Sequence, residues 1–304
     1  MDDRPYNMNK DKIILGIAPI DWTNDVDTTL GWDIPFEQCV SEMALAGFKG
    51  CEIGVKFPRD PEVLHRYLDI RGLQVVNFWT TLKLVQEDFS WSENMIRTNG
   101  ALLKAMGAKV IGVCDCSCRP RLGGSYKPNG RHIMNDEEWA TVLDGLNKLG
   151  KIALEEYGLK LVYHHHAGTS IETPEEIDRL MEGTDPKYVS LLWDTGHLDV
   201  LGFDPAPVGK KWMHRIGHIH LKSVRKDVLK LINDEDIPLR CSVPLGVYTV
   251  PGDGDSDFTE VFKIIRESDY EGVILVEAEQ DAKQANPFEM AVLTRKFIKE
   301  NLGI

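Results

Sequence analysis

Ile216–Lys222 reads Ile-Gly-His-Ile-His-Leu-Lys, a short apolar run in which one residue separates His218 from His220. Side chains two apart on a strand leave the same face, so both imidazoles point the same way. Three further apolar runs end alike: Tyr163–His166 in Tyr-His-His-His, Trp193–His197 in Trp-Asp-Thr-Gly-His, and Val276–Glu279 in Val-Glu-Ala-Glu. Imidazole nitrogen and carboxylate oxygen together suit Mn²⁺, Co²⁺, Fe²⁺ or Zn²⁺ better than Ca²⁺ or Mg²⁺. A lone strand-end histidine is ordinarily a hydrogen-bonding structural group, but four such ends in succession are hard to ascribe to coincidence. Asp194, His220 and Glu277 are therefore the expected ligands of one divalent metal, with His164 the expected fourth. By alternation His166 shares the face of His164, and His165 points away. His197 and Glu279 fit substrate-binding or proton-transfer groups. His218, two residues deeper, fits a residue that orients His220. A further strand end, Cys51-Glu52-Ile53-Gly54, brings Glu52 to the same rim.

Such residues need elements that deliver them to one place. Strand and helix signals alternate along the whole chain. Strands are expected at Ile13–Ala18, Gly50–Ile53, Leu73–Phe78, Lys109–Val113, Leu159–Tyr163, Val189–Trp193, Arg215–Leu221 and Gly272–Val276. Between them lie helical patterns at Pro35–Ala46, Pro61–Ile70, Ser92–Met106, Asp136–Tyr157, Asp204–His214, Phe258–Glu267 and Pro287–Asn301, and one more opens at Thr173. Asp60 before Pro61 is a good N-cap with proline at the first helical position. Thr173-Pro-Glu-Glu176 is a capping box. Eight β-then-α units in one domain spanning 1–304 predict an α/β fold, a single (β/α)8 TIM barrel, whose chemistry sits at the C-terminal ends of its strands. A doubly wound open sheet is the alternative, but no Gly-x-Gly-x-x-Gly follows a strand. Two loops are long for a compact barrel, near 115–135 and 223–250.

Composition narrows the field. The chain has 304 residues and a formal net charge of −13, with 42% apolar content. That balance opposes nucleic-acid binding, which needs a basic face. There is no apolar leader in Met1–Lys12 and no apolar run long enough for a membrane span, so a cytoplasmic, non-membrane protein is expected. The cysteines at 39, 51, 114, 116, 118 and 241 are then expected to be reduced, and the Cys114/Cys116/Cys118 spacing does not match a zinc site. Asp253-Gly-Asp-Ser-Asp257 imitates a calcium loop, but Phe258 and Ile264 stand where Gly and Glu are needed. His65, His132 and His214 lie away from strand ends and are read as structural or surface residues.

Asp194-Thr-Gly-His197, His218-Ile-His-Leu-Lys222 and Pro251-Gly-Asp-Gly254 ahead of a barrel-closing glutamate resemble the xylose isomerase-like metal barrels, which include ketose 3-epimerases, hydroxypyruvate isomerase and endonuclease IV. The closer resemblance is to the myo-inosose-2 dehydratases of inositol catabolism. It runs nearly end to end, through Gly16-Ile-Ala-Pro19 with Trp22-Thr-Asn24, Asp33–Cys39, Ser41–Gly47, Lys104–Cys114, Leu161–His166 and Val276–Asp281. The wider family supplies Glu, Asp, His and Glu from strands five to eight. Carried over, the last three fall on Asp194, His220 and Glu277, while the first position is a histidine here, His164. Losing one of two flanking carboxylates disfavours two-face proton exchange, and a histidine can protonate a leaving hydroxyl, so this departure favours elimination.

The resemblance thus implies a hydro-lyase that removes water from 2-keto-myo-inositol (scyllo-inosose) to give 3D-3,5/4-trihydroxycyclohexane-1,2-dione. It implies one Mn²⁺ or Co²⁺, glutathione as an added requirement, a polyol substrate and room for a homo-oligomer. Glu279 or Glu52, with Lys56 further out, are the nominated bases for the α-proton. His166 or His197 is the nominated acid, and Lys222 is nominated to hold the oxyanion. The competing expectations are a metal-dependent ketose isomerase or 3-epimerase, a phosphodiester-cleaving enzyme, which the acidic charge opposes, and a non-enzymatic binding barrel, which leaves the ionisable rim unexplained.

Overall fold

The computed structural model describes residues 7–25, 27–118 and 131–304. The first residues of the chain and most of the long segment near 115–135 therefore lie outside the described residues. Parallel strands alternate with helices throughout: β1 (Ile13–Ile17), β2 (Gly50–Glu52), β3 in two pieces (Gln74–Asn77 and Thr80–Leu82), β4 (Val110–Asp115), β5 (Lys160–His164), β6 (Val189–Asp194), β7 (Ile216–Leu221) and β8 (Gly272–Val276). The first piece of β3 pairs with β2 and the second with β4, while β1 pairs with β8. The nine strand pieces thus close on themselves as the expected eight-stranded TIM barrel. Sequence analysis places strand three at Leu73–Phe78. The chain instead breaks at Phe78 and Trp79, because a short irregularity lets one strand change partners around the barrel.

The helix boundaries follow local chemistry. Asp60 accepts the backbone N–H groups of Glu62 and Val63, and Thr173 and Glu176 form the reciprocal capping box. Helix Asp136–Tyr157 stops at Gly158, whose φ of 72° lies where only glycine is at ease. Helix Asp204–His214 is shorter than expected, running Pro205–Trp212 before a 3-10 turn at Met213–Arg215. Every residue of β4 and β6 is buried, as parallel strands covered on both faces should be. Helices pack an apolar layer onto the outside of the barrel, through residues such as Leu146, Leu149, Ile177, Leu180, Leu191 and Ile219. Separate small clusters, Val110–Val162–Leu192 and Val76–Val273–Leu275, fill space below the strand ends.

Gly209 shows how tightly the outer layer is fitted. A Cβ there would lie 2.3 Å from Trp193 Cζ2, and that indole is fully buried. Alanine would gain about 1 kcal/mol of helix propensity, whereas overpacking costs about 1–3 kcal/mol. Gly209→Ala is expected to lower the thermal midpoint, and a midpoint at or above wild type would show that the indole can move.

The segment 223–250, expected to be a loop, is structured. Ser223–Val224 and Tyr248–Thr249 form an antiparallel ribbon, and helix Lys226–Asp234 lies between them. Val224, Ile232, Val243, Val247 and Tyr248 build a second apolar cluster with Leu30, Ala167 and Val200 from neighbouring rim loops. Its strands are only two residues long, too short for a periodicity signal. No helix among the described residues is long and apolar enough to cross a membrane.

Candidate metal centre and active site

The strand ends converge. β5 delivers His164, β6 Asp194 and β7 His220, and Glu277 follows β8 directly. A register shift at Leu191/Leu192 sets Asp194 opposite His220. His164 Nε2 is 3.2 Å from Asp194 Oδ2. His220 Nδ1 is 3.5 Å from the same oxygen and 3.1 Å from Glu277 Oε2, and His220 Nε2 is 3.2 Å from Glu52 Oε1. The other Asp194 oxygen, Oδ1, accepts the backbone N–H groups of Gly196 and His197 at 2.8 and 3.0 Å. Asp194 is therefore fixed by the helix it caps and turns one oxygen toward the two imidazoles.

Beside this cluster sits Lys222, which is fully buried. Its Nζ contacts Glu277 Oε1 and lies 3.2 Å from Glu279 Oε1 and 3.1 Å from His197 Nε2. Ring nitrogens of His166 and His197 and a carboxylate oxygen of Glu279 lie within 4.8 Å of one another, and the two imidazole rings meet at a tilt of 36° with centroids 3.7 Å apart. His166 Nδ1 is 2.7 Å from the Ala167 carbonyl, which only accepts, so Nδ1 carries the proton. Glu52, Trp79, His166, Glu277 and Glu279 line a small cleft together with Thr23. A larger cavity of about 660 Å³ lies behind the short helix Thr195–Asp199, and neither the convergent histidines nor Glu277 and Glu279 line it.

The electrostatics agree with this geometry. Burial works against ionisation of Asp194, yet its surroundings, His197 and then Lys222 with hydrogen bonds from His164 and His220, hold it well below the usual carboxylate range. Glu277 is likewise buried and held low by Lys222 and His220. Burial lowers His164. Burial also opposes the charge on His220, but Glu277 and Glu52 outweigh it and raise that imidazole well above its ordinary value. Burial drives His197 well down, helped by His166 and Lys222. Burial pushes Glu279 up, against the lowering influence of Lys222.

A divalent metal fits these residues. Two ionised carboxylates and two imidazoles converge in a dry site, and groups of three with ligand atoms within 4.8 Å include His164–Asp194–His220 and Asp194–His197–Glu277. His220 Nδ1 makes no well-formed hydrogen bond despite burial. Lys222 alone leaves an excess of buried negative charge among Asp194, Glu277 and Glu52, which a divalent ion would offset.

The other expectations sort unevenly. His165 does point away: it accepts the Asp194 backbone N–H at Nε2 (3.1 Å), and burial holds it down to about 3, so it ties β5 to β6. His218 touches the His220 ring, but neither of its nitrogens has a hydrogen-bond partner, so no hydrogen bond orients His220 through it. Lys56 is not at the centre, because its Nζ donates to the carbonyls of Trp32 and Ile34. Glu52 Oε1 already accepts from Asn77 Nδ2 at 2.7 Å. The five cysteines at 39, 51, 114, 116 and 118 are buried, and Cys241 is exposed.

Three contributors escape sequence reasoning. Asp21 is 1% exposed, and its Oδ1 accepts the Ala278 N–H at 2.8 Å, between Glu277 and Glu279. Asn77 bridges Glu52 to the Gly112 N–H. Tyr248 reaches His197 from the 223–250 segment. Only the position of Asp21 just after β1, where barrel chemistry gathers, offered a signal.

The model of the family described as xylose isomerase-like TIM barrel matches residues 40–300. An inosose dehydratase of Clostridium tetani is 47% identical over 298 residues, covering 97% of this chain and 99% of the relative. Among solved structures, the "IOLI protein with a binding zinc atom" superposes with a TM-score of 0.69 at 15% identity, covering 95% of this chain and 98% of that one. The "probable 3-DHS dehydratase AsbF" from Bacillus anthracis gives 0.69 at 14% identity, covering 94% and 98%. These two likenesses establish the shared fold. The chain belongs to the xylose isomerase-like TIM-barrel family and, within it, to the inosose dehydratases. It is accordingly an enzyme, a lyase of the hydro-lyase kind.

Proposed function

We propose that this enzyme removes water from 2-keto-myo-inositol, a cyclic polyol ketone, to give 3D-3,5/4-trihydroxycyclohexane-1,2-dione, in the cytoplasm and with Mn²⁺ or Co²⁺ held by His164, Asp194, His220 and Glu277. One observation carries the elimination chemistry: Glu279 and His166 face one cleft, with His197 behind them, beside a buried cluster of carboxylates and imidazoles. The substrate follows the relatives that share nearly half of the sequence. A divalent ion bound there supplies Lewis acidity, which eases proton loss next to a carbonyl.

The chain's own residues supply the rest. Glu279, raised by burial, takes the proton from the carbon beside the ketone. Lys222 stays charged, since Glu277, Asp194 and Glu279 outweigh the cost of its burial, and it steadies negative charge as it develops on oxygen. His166, the member of the His166–His197 pair that lines the cleft, delivers the proton that the leaving hydroxyl needs. Glu52, committed to Asn77 and His220, is the weaker nominee for the base.

The test adds 2-keto-myo-inositol to metal-stripped protein, with and without Mn²⁺ or Co²⁺ and with and without glutathione, and follows product absorbance. Metal-dependent water loss supports the reading. Ketose interconversion without water loss would replace it with an isomerase or epimerase. Glu279→Gln is expected to lower kcat by about 10²–10⁴-fold and to abolish α-proton exchange with solvent. Retained exchange would move the base to Glu52.

A further inference from the structure

We propose that the 223–250 segment is a working part of the active site, and that its Tyr248 is a positioning residue that holds His197 in its orientation by accepting the Nδ1 proton. The placement begins in the backbone. The ribbon starts one residue after Lys222, with Thr249 paired to Ser223 and Tyr248 to Val224. Arg225 fastens it by donating to Thr249 Oγ1 at 3.0 Å and to Asp253 Oδ2 at 2.6 Å. The apolar cluster around Val224, Ile232 and Val247 backs the ribbon, so Tyr248 is 2% exposed and its ring cannot swing out without opening that core.

The tyrosine hydroxyl lies 3.4 Å from His197 Nδ1, and its ring centroid lies 4.8 Å from Lys222 Nζ. The proton positions follow from valence. An ammonium group has no lone pair to offer, so at 3.1 Å Lys222 Nζ donates and His197 Nε2 accepts. A neutral imidazole then carries its proton on Nδ1, and the partner for that proton is the Tyr248 oxygen. One side chain thus holds both neighbours of Glu279: its hydroxyl anchors His197, and its ring face sits against the Lys222 ammonium. With His197 locked, Nε2 stays on Lys222 Nζ, which in turn lies 3.2 Å from Glu279 Oε1 at the cleft.

The kinetic arm of the test rests on the proposed dehydration, and the spectroscopic arm does not. In ¹⁵N-histidine-labelled, zinc-loaded protein, with His197 assigned through His197→Asn, wild type is expected to show a protonated Nδ1 and a bare Nε2. Tyr248→Phe keeps the ring and loses the acceptor. It is expected to shift the His197 Nδ1–H signal and speed its exchange with solvent, with a kcat about tenfold lower and KM within about twofold. Tyr248→Leu removes the ring as well and is expected to lose more. Thermal midpoints of both variants identify any that fail to fold, and Tyr248→Gln, which restores an acceptor oxygen, is expected to recover part of the wild-type Nδ1–H signal. An unchanged Nδ1–H signal in Tyr248→Phe, or a kcat within twofold of wild type, overturns the proposal. If wild-type protein dehydrates no inosose, the functional reading fails, while the nitrogen spectra still decide the role of Tyr248.

Discussion

Asp194→Asn is expected to abolish turnover while leaving the fold intact. Asn keeps the oxygen that accepts the Gly196 and His197 N–H groups, so the cap of helix Thr195–Asp199 survives. The change falls on Oδ2, which faces His164 and His220 at 3.2 and 3.5 Å. An NH₂ group there cannot ligate, and it presents donors where a cation should sit. Loss of a ligating carboxylate should lower kcat/KM by at least about 10³-fold, with the purified protein retaining little metal. The thermal midpoint of the metal-free protein should stay within a few degrees of wild type. A variant that binds Mn²⁺ as wild type does and turns over within tenfold of it would remove Asp194 from the ligand set.

Lys222→Met should have the largest effect on stability. The ammonium is fully buried against Glu277, Glu279 and, at 4.0 Å, Asp194. Methionine fits the channel but leaves these carboxylates without their cation. Removing one partner of a buried ion pair costs about 3–5 kcal/mol, which in a chain of this size corresponds to a drop of roughly 5–10 °C in the thermal midpoint. Added Mn²⁺ or Co²⁺ should restore part of the loss, because the metal offsets the same negative charge. Turnover should fall by at least about 10²-fold, since the residue that holds His197 and Glu279 in place is gone. Unaltered melting of metal-free Lys222→Met would show that the carboxylates are neutralised in some other way.

Much of this site could be read in the residues because barrel strands advertise themselves. A buried parallel strand is a short apolar run, and the polar residue that ends it must lie at the rim. His164, Asp194, His220 and Glu277 were found that way, and the structure brings them together. Helix starts are equally legible where a cap is local: Asp60 and Thr173 bond N–H groups two or three residues on. The misses share one physical cause, which is long-range partnership. Asp21 acts on Ala278, 257 positions away, and Glu52 meets His220 across 168. No local spacing encodes such pairs. Lys56, the outlying nominee for the base, sits on the backbone carbonyls of Trp32 and Ile34, while Lys222, nominated for the oxyanion, is sealed among carboxylates.

By itself, then, the sequence determined the alternation of elements, the barrel they close into and the identity of the ionisable groups at its C-terminal rim, since each depends on periodicity and capping over a few residues. Tertiary structure alone decided which carboxylates share Lys222, which nitrogen of His197 carries the proton and that the 223–250 segment completes the site through Tyr248. Those outcomes depend on distances between strands far apart in the chain and on the loss of water around them, and both arise only when the barrel closes.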